Sequence, residues 1–249
     1  MIGATHRASL ERARQQLRQL TDAEREFLAT QPYRLVHEHD MRGGRYLVRV
    51  QVARPVPDEI PRLAGEVVRD LRTSLDELAS ALAGAPTKFP IFESLVLFAQ
   101  RARKAIARMP DEAQATLEAL QPYHAIGGFR NGPLWTLEQL RAADPAPLAA
   151  GGVRSGGTMG VNTQRKVTIV GDPVIATGAF ADGATVASVF TKIVGTDPKL
   201  DMFLRVELEL AYASDGPGRG RPVVALLGEL CDHVDRAVLA ALEPSLTIP

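Results

Sequence analysis

Glu66, Arg69, Asp70, Arg72, Thr73, Asp76 and Glu77 crowd one short stretch of the chain, at spacings that a helix gathers onto a single polar face. Arg69 with Thr73, and Arg72 with Asp76, stand four residues apart and so meet on successive turns. As a solvated face such pairs contribute only about 0.2–0.5 kcal/mol each and need no function. His37 and His39 are two apart in a strand-like run, which points both imidazoles to one side as a pair of metal ligands could be. No third ligand accompanies them, since Asp40 falls on the opposite face, and the expectation is an ion-free hairpin with no metal and no cofactor. Gly151 to Gly160 is glycine-rich, yet it lacks both the preceding apolar strand and the Gly-Lys-Ser/Thr ending of a phosphate loop, so it reads as a flexible loop. Cys231 and His233 diverge by about 100° per residue on a helix and cannot form a thiolate pair. Cys231 is expected in packing, Asp232 and His233 toward solvent.

The elements that must position these side chains follow from periodicity. Leu10, Ala13, Leu17 and Leu20 form a helical stripe from about Ser9, and Thr21 with Glu24 reads as a capping box that restarts it. From Tyr33 the period becomes two, giving a hairpin of Arg34 to Asp40 against Arg45 to Ala53 across Gly43-Gly44. Ile60, Leu63, Val67, Leu71, Leu75, Leu78 and Leu82 define the strongest helix, closed by Gly84 and Pro86. Phe89 to Phe92 is a short extended apolar link. Ser94 caps a helix predicted through Arg108, Pro110 opens another to Gln121, and a third covers Leu134 to Arg141.

Residues 144–164, rich in proline and glycine, predict a linker or exposed loop. Beyond it Val167, Ile169, Val186, Val189 and Phe190 lie in β-prone runs, and Met202 to Leu210 alternates as one half-buried strand. Val223, Leu226, Leu227, Leu230, Val234, Val238 and Leu242 give a long amphipathic terminal helix that packs back on the first half or on a second copy. The fold class expected is α+β: a helical layer with an inserted β-hairpin, then an antiparallel sheet and the long terminal helix. One domain over 1–249 is favoured, with a possible division into 1–143 and 165–249.

Composition narrows the functional classes. Hydrophobic residues at 45% and charged residues at 23% suit a globular chain and exclude wholesale disorder. Twenty-nine basic residues balance 29 acidic ones, so no global field attracts nucleic acid or an anionic membrane. A single cysteine forms no internal disulfide, no apolar leader opens the chain, and no apolar run approaches the ~20 residues of a bilayer span. A soluble, cytoplasmic protein is the expectation.

Leu71-Arg72-Thr73-Ser74-Leu75-Asp76-Glu77-Leu78, Phe89-Pro90-Ile91, Leu120-Gln121-Pro122-Tyr123 and Pro133-Leu134-Trp135-Thr136-Leu137, in this order, resemble a family of uncharacterised bacterial proteins over about residues 55–145. The arginine that such proteins carry ahead of a helix histidine is similar to the ribonuclease motif of HEPN helical domains. That resemblance implies an arginine steadying phosphate charge while the histidine moves a proton. Arg72 matches the arginine, but Glu77 stands where the histidine would be. The later Asp-Lys-His-Arg motif is reduced to Asp144.

The function expected first is therefore a non-catalytic binding or interaction protein, with Arg69, Arg72, Asp76, Glu77, Tyr123 and Trp135 as candidate binding residues. The alternative is an enzyme acting on RNA or a nucleotide, with Arg72, and Arg69 beside it, on phosphate. A small-molecule pocket lined by Phe89, Phe92, Tyr123 and Trp135 is a third expectation. Self-association through the terminal helix completes the partners considered.

Overall fold

The computed structural model describes residues 5–40, 42–143, 148–153, 158–162, 167–176, 179–193, 201–205, 208–213 and 216–246. The chain is α+β, and it divides into two compact units, each drawn from separated parts of the sequence. A helical unit takes Met1–Asp22, Asp58–Ala146 and Val224–Pro249, and a strand unit takes Ala23–Pro57 and Pro147–Val223. The hairpin thus groups with the later strands and the terminal helix with the earlier helices.

In the helical unit, α1 (Thr5–Ala29, through Asp22) buries Leu10, Ala13 and Leu20. It begins four residues before the expected start and does not restart at Thr21, whose hydroxyl donates back to the Leu17 carbonyl at 2.8 Å. A threonine bonded into the preceding turn is a helix-interior residue, not a cap. α2 (Glu59–Ala83) buries the whole predicted stripe and stops at Gly84, whose φ of 64° is the left-handed C-cap that glycine adopts without a Cβ clash.

Ser94 accepts from the Leu97 N–H at 3.3 Å and caps α3 (Leu95–Arg101). The helix expected through Arg108 breaks at Ala102 into α4 (Arg103–Ile106). α5 (Asp111–Ala119) starts on Pro110, with two acids in its first turn, and α6 (Pro133–Ala142) starts on Pro133. α7 (Val223–His233) runs through a π-helical stretch, Val234–Leu239, into α8 (Ala240–Leu242). The apolar stripe of this terminal segment is buried, and α2 and α5 are among its neighbours. Each fully buried leucine or valine there contributes about 1.5–3 kcal/mol.

The strand unit contains a four-stranded antiparallel sheet in the order β1 (Tyr33–Asp40), β2 (Arg45–Val52), β6 (Thr185–Ile193), β5 (Val167–Ile175). The hairpin keeps one register from Tyr33↔Val52 to Asp40↔Arg45. Its turn is held by Asp40, whose Oδ1 accepts the Arg42 and Gly43 N–H groups at 3.1 and 2.9 Å. A Cβ on Gly43 would lie 2.2 Å from that carboxylate, so a larger residue there would displace the Asp40 side chain.

Tyr46, Val48, Val50, Phe180, Val186, Ala187 and Val189 form the core on one sheet face. Two further pairs are β3 (Leu148–Val153) with β8 (Leu208–Tyr212), and β4 (Thr158–Asn162) with β7 (Asp201–Arg205). These correct two expectations. Residues 148–153 and 158–162 of the presumed linker are strands, because pairing with distant partners supplies the order that their composition does not. The remaining positions of 144–164 lie outside the described residues. The alternating run Met202 to Leu210 is likewise split between β7 and β8, which pair with different strands.

Candidate functional site

The polar face of α2 is built around Arg72, only 13% exposed. Its Nη2 donates to the Phe89 carbonyl at 2.6 Å and lies 3.0 Å from Asp76 Oδ1. Its Nη1 stands 3.7 Å from Glu138 Oε2 on α6 and has no hydrogen-bond partner among the described residues. Asp76 Oδ1 in turn accepts the Phe89 N–H at 2.9 Å, and Lys88 Nζ lies 3.2 Å from Asp76 Oδ2. The i,i+4 pair therefore grips both backbone polar groups of a single buried residue. Arg69, by contrast, is exposed, and its Nε lies 3.4 Å from the Gly65 carbonyl oxygen.

The same extended link is held from its other side by Gln121, 2% exposed. Gln121 Nε2 donates to the Pro90 carbonyl at 2.9 Å and the Leu117 carbonyl at 3.1 Å, and its Oε1 accepts the Phe92 N–H at 3.0 Å. Phe89 and Pro90 are buried, and an extended segment in a helical core has no strand beside it. Its N–H and C=O groups must find side chains or remain unsatisfied at a cost. The stretches that carried the family resemblance converge here: Arg72 and Asp76, Phe89-Pro90, Gln121, and Glu138 just after the Leu-Trp pair. Gln121 and Glu138 were not among the sequence candidates. The one sequence signal for them is the need of a buried, non-helical Phe-Pro-Ile for donors and acceptors.

A groove of about 720 Å³ lies along the C-terminal half of α2. Thr73, Asp76, Glu77 and Ser80 form its helix side, and Thr5, Thr87 and Lys88 close it. Ser80 Oγ accepts the Thr87 N–H at 2.9 Å and lies within donor reach of the Asp76 and Thr87 carbonyls, fixing the 84–88 turn as the groove's rim. Glu77 Oε2 accepts from the fully buried Ser9 hydroxyl at 2.6 Å, and Arg12 Nη2 donates to the same Ser9 oxygen at 2.8 Å. Of the candidate residues, Asp76 and Glu77 line this groove.

The four aromatics of the third expectation do not gather in it. Tyr123 and Phe92 both pack edge-on against Phe98, at 6.4 and 6.3 Å, while Trp135 packs on Phe129 at 5.0 Å. Burial and the charge of Glu118 raise the Tyr123 pKa, so its hydroxyl stays protonated.

Other sequence candidates are accounted for separately. Burial pushes the Cys231 thiol up to about 11, with Arg14 opposing, which leaves no thiolate nucleophile near neutrality. His233 is half-buried rather than solvent-facing, and desolvation lowers its pKa. His37 and His39 flank Tyr46, with ring centroids at 5.8 and 6.4 Å. No group of three or more His, Cys, Asp or Glu side chains is placed to hold a metal ion among the described residues, and no described helix is long and apolar enough to cross a membrane.

A polar cluster that the periodicity did not suggest joins α1 to the terminal helix. Arg7 makes two bonds of 2.6 Å to the Glu243 carboxylate and a third to Asp235, and Arg14 Nη2 lies 2.5 Å from Asp235 Oδ2. The buried His6 Nε2 shares a 2.8 Å bond with Glu243.

Set beside protein-family models, curated proteins and solved structures, the chain matches none of them.

Proposed function

We propose that the protein is a non-catalytic binding protein whose ligand site is the groove beside Asp76 and Glu77. The observation that carries this is the closure of Arg72: a guanidinium committed to the Phe89 carbonyl and to Asp76, with Glu138 beyond it, positions backbone and is not poised for phosphate. The groove itself offers the Glu77 carboxylate, several hydroxyls and the negative end of α2. Those groups favour a small amine-bearing or hydrogen-bond-donating ligand over an anion. Lys88, mostly exposed and paired with Asp76, moderates that preference at the rim.

One atom favours the alternative, an RNA- or nucleotide-acting enzyme: Arg72 Nη1 is buried without a hydrogen-bond partner among the described residues, as an arginine awaiting phosphate would be. Glu138 at 3.7 Å already supplies an anion there, and Glu77 offers no proton-transfer imidazole. Thermal-shift titration separates the two. Spermidine is expected to raise the melting temperature of the native protein and to lose that effect in Glu77→Gln, while AMP and a short single-stranded RNA leave it unchanged. RNA cleavage by the native chain that Arg72→Ala abolishes without unfolding would replace this function with the alternative.

A further inference from the structure

β1 is an edge of the four-stranded sheet: β2 takes one of its sides, and no described strand takes the other. The opposite edge, β5, carries Pro173 and a break in register between Val170 and Val174. Such devices keep other strands away. β1 has neither; it is eight residues without proline, in unbroken register with its partner. A strand edge of that kind presents a row of backbone donors and acceptors to whatever can pair with it.

The side chains say what can. Tyr33 and Leu35 pack toward the sheet's core, so strand alternation sends Arg34, Val36 and Glu38 to the outer face, where all three are exposed. The outer face of β1 thus reads cation, apolar, anion. Laid antiparallel on a second copy with Val36 opposite Val36, Arg34 faces Glu38 of the copy and Glu38 faces its Arg34. Opposite charges directly across an antiparallel pair attract, and like charges repel. Sliding by two residues sets Glu38 against Val36 and loses both pairs, and the only carboxylate it then offers Arg34 is that of Asp40, already committed to the Arg42 and Gly43 N–H groups of the turn; a one-residue slip turns the faces over. Within the chain, Glu38 Oε2 is 2.7 Å from Arg49 Nε; a carboxylate has a second oxygen for a second arginine.

We infer that β1 is a self-association seam: two copies pair β1 to β1 about a twofold axis at Val36, joining their sheets into one continuous sheet. The charges that guard this edge against arbitrary strands make it its own complement.

Size-exclusion chromatography with light scattering on the full chain tests the seam. The native protein is expected to be a dimer; Arg34→Glu, which sets carboxylates against carboxylates at both ends, weakens it by about tenfold or more. Glu38→Arg does the same with cations, and the double swap Arg34→Glu/Glu38→Arg restores the dimer. A native chain that is monomeric at its highest soluble concentration overturns the inference, as does a dimer indifferent to Arg34→Glu or one that the double swap fails to recover. Hydrogen exchange on the unsubstituted protein gives an independent measure. Protection of β1 amides should rise with protein concentration, and concentration-independent protection counts against the seam.

Discussion

Two extended segments of this chain solve the same problem in opposite ways. Phe89 to Phe92 runs among helices with Phe89 and Pro90 buried, and three side chains meet its backbone: Arg72 on the Phe89 carbonyl, Asp76 on the Phe89 N–H, and Gln121 on the Pro90 carbonyl and the Phe92 N–H. Tyr33 to Asp40 lies in a sheet, where β2 meets one side and the other stays open among the described residues. Side chains that satisfy a backbone are spent on folding, whereas a backbone left at an edge is available to a partner. The comparison teaches where a conspicuous arginine should be placed: Arg72 belongs to the first class, and its chemistry is structural before it is anything else.

Breaking the clamp should have the largest effect, and Gln121 is the place to break it. Gln121→Ala leaves the Pro90 carbonyl and the Phe92 N–H buried without partners, at about 1–3 kcal/mol for each unsatisfied group. Urea unfolding is expected to show a loss of about 3 kcal/mol, near the upper end of single substitutions. A loss under about 1 kcal/mol would mean that water replaces the amide, and that the link is less sealed than the 2% exposure of Gln121 suggests.

Arg72→Met comes next. It keeps the aliphatic stem on α2 but strands the Phe89 carbonyl and leaves Asp76 and Glu138 without their shared cation, for an expected loss of about 2 kcal/mol. Arg72→Lys should recover only part of this, since one ammonium lacks the fork that reaches both the carbonyl and Asp76. If either variant instead keeps full stability and loses ligand binding or RNA cleavage, the clamp is incidental and Arg72 is a site residue.

Helices with strong apolar periods were legible in the sequence, α2 almost to the residue, as was the hairpin through its alternation and its Gly43-Gly44 turn. The grouping of that hairpin with β6 and β5 was not, because strand pairing over more than a hundred residues leaves no local pattern. β3 and β4 were invisible for the same reason: a glycine-rich run has no side-chain period, and only its partners order it. In the site, the α2 pairs were read correctly as i,i+4 neighbours, but their target, Phe89, lies thirteen and seventeen residues away and no spacing rule reaches it. His233 was misplaced because helical geometry gives a direction from the axis, while exposure depends on what else covers that side.

A smaller effect sharpens the helical side of the comparison through pH. His233 is held below its ordinary pKa near 6.5 by burial. The unfolded chain then binds that proton more readily, so stability is complete above about pH 6.5 and declines as pH falls toward the folded value. The Glu243 pKa is lowered, by the Arg7 bonds first, against burial and with help from His6. For Asp235 burial acts upward, but the bonds from Arg14 and Arg7 prevail and its pKa is lowered too. Their contribution is present above about pH 4 and is lost as pH falls through their folded values. These groups are partly exposed, so solvent screening holds each ion pair to about 1 kcal/mol or less. Melting temperature against pH should therefore drop in two steps, with His233→Asn flattening the upper one and Glu243→Gln the lower. A single step below pH 4 in the native protein would remove His233 from the account.

The smallest expected effect on folding is at the edge strand, and its smallness is the point. Arg34 is exposed and faces Gln51 across the hairpin, so Arg34→Glu removes no buried contact and leaves no buried group unsatisfied. Its effect on monomer stability should stay within about 0.5 kcal/mol, measured by urea unfolding at a dilution where dimers have dissociated. Glu38→Arg should cost somewhat more, up to about 1 kcal/mol, because it also removes the exposed 2.7 Å pair with Arg49. The contrast with Gln121 is then direct: one substitution changes how firmly the chain folds and leaves association alone, the other does the reverse. Should Arg34→Glu destabilise the dilute monomer as strongly as Gln121→Ala, β1 is held by contacts within its own chain. The open edge would then belong, like the buried link, to folding rather than to a partner.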